Sequence, residues 1–168
     1  AWLWMGVAMA LMAYSKYHGA LVVLFALAAT PPRLFLRPTL YLSGALALLL
    51  LVPHFVWQYE HDWASLAYHL AGRNSVFRPG YVAEYLLNLL VVFNPFFVPL
   101  YVRSWIAVKP QNPVERALKF IPAAFIVFFL LSTLRGYVQP QWVIVAVFGL
   151  LYTLFTYCLL YTSDAADE

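Results

Sequence analysis

Residues 57–73, WQYEHDWASLAYHLAGR, form the longest polar interval in the chain and hold its densest set of reactive side chains. Glu60, His61 and Asp62 are consecutive there, and His69 follows. An imidazole flanked by two carboxylates can ligate a divalent cation or serve acid–base work. No fixed metal spacing such as HExxH accompanies the triplet, so by itself it is a weak metal signal. A structural reading competes with it: Asp62 suits the N-cap of a short surface helix over 63–71, with Gly72 at its C′ position. Trp63, Leu66, Ala67 and Leu70 would then face a bilayer, while His69 and Arg73 would suit the helix C-terminus. On that reading His61 lies outside the helix and is free for function.

Lys16, Tyr17 and His18 make a second polar point. An ammonium held at headgroup depth between two apolar arms would meet a lipid phosphate, although the same lysine could simply anchor a hairpin. Arg135, Gln139, Gln141 and Trp142 offer donors and a ring suited to a sugar or phosphate, and equally suit an ordinary turn. Glu84 and Asn88 are one helical turn apart and share a face. Glu84 reads as an interfacial residue and Asn88 as a packing one.

The elements that must position these groups are apolar. Hydrophobic residues are 64% of the 168 and charged residues 10%, outside the range of soluble globular domains. Several runs reach or approach the roughly 20 residues that a membrane helix needs. The expected fold is all-α, a polytopic transmembrane helical bundle of about six membrane segments. Aromatics, at 18%, fit interfacial belts. The formal charge of +3 is no sign of nucleic acid, because the basic residues are scattered among loops.

Residues 1–13 and 20–30 are apolar with 14–19 between them. A single helix through all thirty would be about 45 Å long and would carry Lys16 near the bilayer centre at roughly 2.5–3.5 kcal/mol. A hairpin turning at 15–19 avoids that cost. The prolines at 31, 32 and 38 with Arg33 and Arg37 mark a basic turn. Residues 39–56 are the cleanest span, followed by a surface loop to Gly80. Residues 81–101 form the next span, broken by Asn94-Pro95 and Pro99 and so kinked. A basic stretch, 103–119, contains a helix start at Asn112-Pro113. Spans over 120–134 and 142–157 flank a turn at 135–141.

The last eleven residues, CLLYTSDAADE, shift abruptly to small and acidic types. They back-translate readily to the transposase adapter used in preparing sequencing libraries, so 158–168 is expected to be a non-native tail. Cys158 then carries no redox meaning. Removing the tail leaves 10 basic and 4 acidic residues.

At YSKYHGALVVLF, LVPHFVWQYEHDWASLAYHL and QPQW the chain resembles the polytopic glycosyltransferases of the GT-C fold. The likeness is to the bacterial relatives of dolichyl-phosphate-mannose–protein mannosyltransferase and to the aminoarabinose transferase of lipid A. It covers residues 1–157 in order and spacing, which would make them part of one transmembrane glycosyltransferase domain. The resemblance implies transfer of a sugar from a polyprenyl-phosphate donor to a lipid or protein acceptor on the outer face of the bacterial inner membrane. It implies a donor-phosphate contact for Lys16, with Tyr17, His18, His61, Arg73, Arg135, Gln139, Gln141 and Trp142 as further substrate-binding residues. It also implies a divalent metal ion at His61 and Asp62. The QPQW sequence departs from the histidine-bearing form usual in such enzymes. The family's catalytic acid belongs to a first outer loop, expected upstream of Ala1, so the general base is expected outside this stretch and the stretch alone is expected to be inactive. A transporter, or a non-catalytic assembly subunit, is the competing class. A transporter would place ionisable residues at mid-span and show broken helices in repeated halves.

Alternating hairpins put Arg33, Arg37, Arg103, Lys109, Arg116 and Lys119 on one side and Lys16, Arg73, Arg78 and Arg135 on the other. The richer side is cytoplasmic by the positive-inside rule. Single cysteines at Ser15, Ser65 and Gln139, in a chain with Cys158→Ser, are expected to react with an impermeant thiol reagent in intact cells. One at Gln111 is expected to stay unlabelled, and mixed labelling of the first three would break the topology.

Overall fold

Proline, asparagine and glycine divide the apolar runs into helices, and the divisions fall mostly where local chemistry puts them. The computed structural model describes residues 1–70 and 77–164, and the side chains of all of these except 68–70 and 161–164. It is all-helical, with eight α-helices and two 3-10 turns. The chain forms two compact units, Ala1–Ser75 and Val76–Glu168.

In the first unit α1 (Trp2–Ser15) and α2 (Gly19–Ala29) form the expected hairpin, a 3-10 turn covers Pro32–Leu36, and α3 (Pro38–Glu60) and α4 (Ala64–Leu70) follow. The Lys16 carbonyl accepts from the Gly19 N–H at 2.7 Å and closes the hairpin turn. Small residues let α1 approach α3: Gly6 and Ala10 on one helix, Ser43 and Ala47 on the other, all buried. A Cβ at Gly6 would lie 2.8 Å from the Ser43 carbonyl oxygen. The Ser43 hydroxyl lies 3.0 Å from the Trp2 carbonyl and 2.8 Å from that of Thr39, one proton tying α1 to α3.

In the second unit α5 (Pro79–Phe93) and α6 (Val98–Ala107) are bent by 83° at the break between them. Pro95 disfavours helical backbone at the residue before it, and Asn94 turns to φ 60°. Its Oδ1 accepts from the Phe96 N–H at 3.1 Å. The expected kink is thus a sharp corner. α7 (Pro113–Ser132) starts where Asn112-Pro113 indicated. Asn112 accepts from the Glu115 N–H at 3.0 Å, and Glu115 accepts in turn from the Gln111 N–H at 2.6 Å, a reciprocal cap. A 3-10 turn at Pro140–Trp142 leads into α8 (Val145–Asp164), which continues through the first seven residues of the stretch read as a tail.

The expectation of about six membrane segments is corrected. Among the described residues one helix, α3, is long and apolar enough to cross a bilayer, or two if bent α5–α6 counts as one span. The reason is length and charge. α1 and α2 have 14 and 11 residues, short of the roughly 20 that a span needs. α7 carries Glu115, Arg116 and Lys119 in its first two turns, and the apolar part of α8 is Val145–Leu160.

α7 and α8 meet through a proline and a glycine. Pro122 has no N–H, so the Leu118 carbonyl loses its partner within α7. Gly149 of α8 is seated on that carbonyl, and a Cβ there would overlap both the Leu118 oxygen and the Pro122 ring. Gly149→Ala is therefore expected to destabilise the protein by about 1–3 kcal/mol. Gly44→Ala, with nothing within 4 Å of the new methyl, is expected to be stabilising by about 0.5–1 kcal/mol from helix propensity. Equilibrium unfolding in detergent measures both.

Candidate functional site

A polar stripe on α3 faces the end of α1. His54, Gln58 and His61 are spaced i, i+4, i+7 and so lie along one side of the helix. Pro53 leaves the Leu49 carbonyl without its helical partner. One residue on, the Leu50 carbonyl accepts from the Tyr14 hydroxyl at 2.9 Å. Tyr17 lies in the hairpin turn, and its hydroxyl is 3.2 Å from His54 Nε2. The Gln58 amide donates to the Tyr17 oxygen at 2.6 Å and approaches His54 Nε2 at 3.4 Å. Gln58 is 3% exposed, and its Oε1 is buried without a hydrogen-bond partner among the described residues. The rings of Tyr14 and Tyr17 lie 5.7 and 5.8 Å from that of His54. Tyr17, His54 and Gln58 form a connected cluster whose exposed member, Tyr17, can hydrogen-bond a hydroxylated ligand.

Lys16 directly precedes the cluster. It is exposed and occupies the C-cap position of α1, where its charge also complements the helix dipole. His18 is half-buried at the N-cap position of α2. Thus Lys16, Tyr17 and His18 share one turn, with Tyr17 reaching across to α3.

His61 is not free as expected. Its ring stacks on Trp57 at 4.3 Å, and its Nδ1 lies 2.8 Å from the Trp57 carbonyl. That bond makes Nδ1 the protonated nitrogen and leaves Nε2 as the one able to accept or ligate. The helical part of the 57–73 interval also differs from a surface loop, because α3 runs on to Glu60. Asp62 does not cap the next helix; it ends the previous one. Its φ is 52°, and the N–H of Trp63 bonds back to the Gln58 carbonyl at 2.7 Å, the long bond of a Schellman turn with Asp62 at C′. Asp62 tolerates this conformation because its short polar side chain does. α4 begins two residues later, at Ala64, and Trp63, Leu66 and Ala67 are exposed.

Among the described residues no three of His, Cys, Asp and Glu are grouped to hold a metal ion. His61 Nε2 and the Asp62 carboxylate amount to two ligands, so a divalent cation there would take the rest from substrate or solvent. Arg73 and Gly72 lie outside the described residues, and the side chain of His69 is also outside them.

In the second unit Arg135 is exposed. The Gln141 amide donates to Gln139 Oε1 at 2.7 Å, so those two side chains bind each other. Trp142 packs on Phe129 at 5.7 Å and belongs to the interior packing. Glu84 is exposed, and Asn88 Nδ2 is buried without a hydrogen-bond partner among the described residues.

His54 and Gln58 were not singled out as site residues from the sequence. Their signal was present, as polar residues at i and i+4 inside an otherwise apolar helix.

Two substitutions test this geometry. Tyr17→Phe leaves the Gln58 amide nitrogen only its 3.4 Å contact with His54 and should cost about 1–3 kcal/mol, with a coupling to Gln58→Leu in a double-mutant cycle, while Lys16→Ala should stay within about 0.5 kcal/mol of the parent. At Asp62, replacement by Gly should preserve or raise stability, and replacement by Val should cost about 1–2 kcal/mol; thermal unfolding separates the two. Comparison with protein-family models, curated proteins and solved structures finds no match to this chain.

Proposed function

We propose that the chain is part of a membrane glycosyltransferase that moves a sugar from a polyprenyl-phosphate donor to a lipid or protein acceptor at the outer face of the membrane. The observation that supports this reading is an exposed lysine, Lys16, one residue before Tyr17 of the Tyr17–His54–Gln58 cluster, at the end of otherwise apolar helices. In such a transfer the acceptor hydroxyl attacks the anomeric carbon and the bond from that carbon to the phosphate oxygen breaks. The phosphate leaves with the bonding pair, and the hydroxyl proton passes to a base. A cation fixed at headgroup depth stabilises the charge growing on the phosphate. In this role Lys16 binds the leaving group, while exposed Tyr17, held by Gln58, hydrogen-bonds the sugar. The base would be a carboxylate supplied by a longer chain.

A second reading, a transporter or non-catalytic assembly subunit, draws on the 83° break at α5–α6 and on Asn88 Nδ2, buried without a hydrogen-bond partner among the described residues. Broken helices with exposed backbone line substrate paths in such proteins.

Lys16→Ala in the complete protein distinguishes the readings. Expression and membrane insertion should be unchanged, and transfer of labelled sugar from the polyprenyl donor in membranes should fall by about 100-fold or more. Lys16→Arg should recover only part of the activity, since reach and geometry differ as well as charge. Full transfer in Lys16→Ala would overturn the role of this lysine. His61→Ala should lower transfer and alter its response to chelators if a cation bridges His61 to the donor.

A further inference from the structure

The corner between α5 and α6 holds an open apolar cavity of about 640 Å³ within the second unit, lined by side chains that include Leu86, Leu90, Val102, Trp105, Ala123 and Val127. We propose that it holds one acyl chain of an anionic phospholipid, whose headgroup rests on the basic residues at the α6–α7 turn. The inference goes beyond glycosyl transfer and stands whether or not that reading holds.

Two observations select this occupant. The first is charge. Trp105 forms part of the wall, its indole N–H donates to the Lys119 carbonyl at 2.8 Å, and the Lys119 ammonium lies 5.1 Å over its ring. That ammonium also donates to the Val108 carbonyl at 2.6 Å, which places Lys109 next to it in the chain. Arg116 is exposed on α7, three residues before Lys119 and so on the same side. Lys119, Lys109 and Arg116 therefore gather beside the Trp105 end of the apolar site, with Glu115 the one acid in the same stretch of chain. Glu115 is itself held in the α7 cap.

The second is size. The volume lies within the roughly 300–1,000 Å³ of small-ligand sites. A helix about 10 Å across would fill it in roughly one and a half turns, so the corner suits a thin flexible chain better than a packed helix. An acyl chain in the corner with its phosphate at the basic turn satisfies both ends at once. A zwitterionic lipid fills the cavity equally well and gains less at the rim.

The complete protein in detergent, titrated with phosphatidylglycerol or phosphatidylcholine and read by native mass spectrometry, tests the assignment. Phosphatidylglycerol should be retained preferentially. Lys109→Gln and Arg116→Gln should each reduce that preference by up to about fivefold at low salt, while leaving phosphatidylcholine retention unchanged. Ala123→Trp, or Val127→Trp at a more exposed wall position, should remove retention of both lipids with helix content preserved by circular dichroism. Equal retention of the two lipids by the parent protein would overturn the proposal. So would full retention in a variant that fills the cavity, or displacement of phosphatidylglycerol by equimolar polyprenyl phosphate.

Discussion

Side-chain donors bonded to main-chain carbonyls of neighbouring helices hold the helices of each unit in register. Tyr14 reaches Leu50, Ser43 reaches Trp2, Tyr85 reaches Ile126 and Trp105 reaches Lys119. Where nearly every side chain is apolar, burial does not discriminate between one rotation of a helix and the next. A carbonyl oxygen has two lone pairs and can accept such a bond without giving up its helical one. Each bond is modest in energy but fixed in geometry, which is what sets helix position.

The internal prolines add to this constraint. Pro122 exposes the Leu118 carbonyl, and only a residue without a side chain can approach it as Gly149 does. The resulting close contact of α7 with α8 places Pro122, Ala123 and Leu150 in the wall of the α5–α6 cavity. In the first unit Pro53 lies beside the stripe of His54, Gln58 and His61. The helix thus lacks one internal hydrogen bond where its polar groups gather.

The candidate site follows from the same economy of polar groups. Gln58 is buried with one end of its amide bonded to Tyr17 and the other without a partner among the described residues. A buried amide oxygen left so is costly unless water or a ligand meets it. Lys16 carries no such burden, being exposed at a helix end, so its removal separates binding from folding.

Helix boundaries were legible in the residues because the physics that sets them is local. Asn112-Pro113 starts α7, Asn94-Pro95 breaks the α5–α6 run, and the polar interruption after Tyr14 turns the first hairpin. A missing N–H, a fixed φ or a capping side chain acts within a few residues of itself. The number of spans was not legible, since an apolar run shows neither where a helix frays nor how sharply it bends. The Tyr17–Gln58 contact joins residues 41 positions apart, and no periodicity within one helix encodes which residue of another it will meet. Asp62 shows the same limit at short range: its type suits either end of a helix, and only the bond from Trp63 back to Gln58 decided that it closes α3.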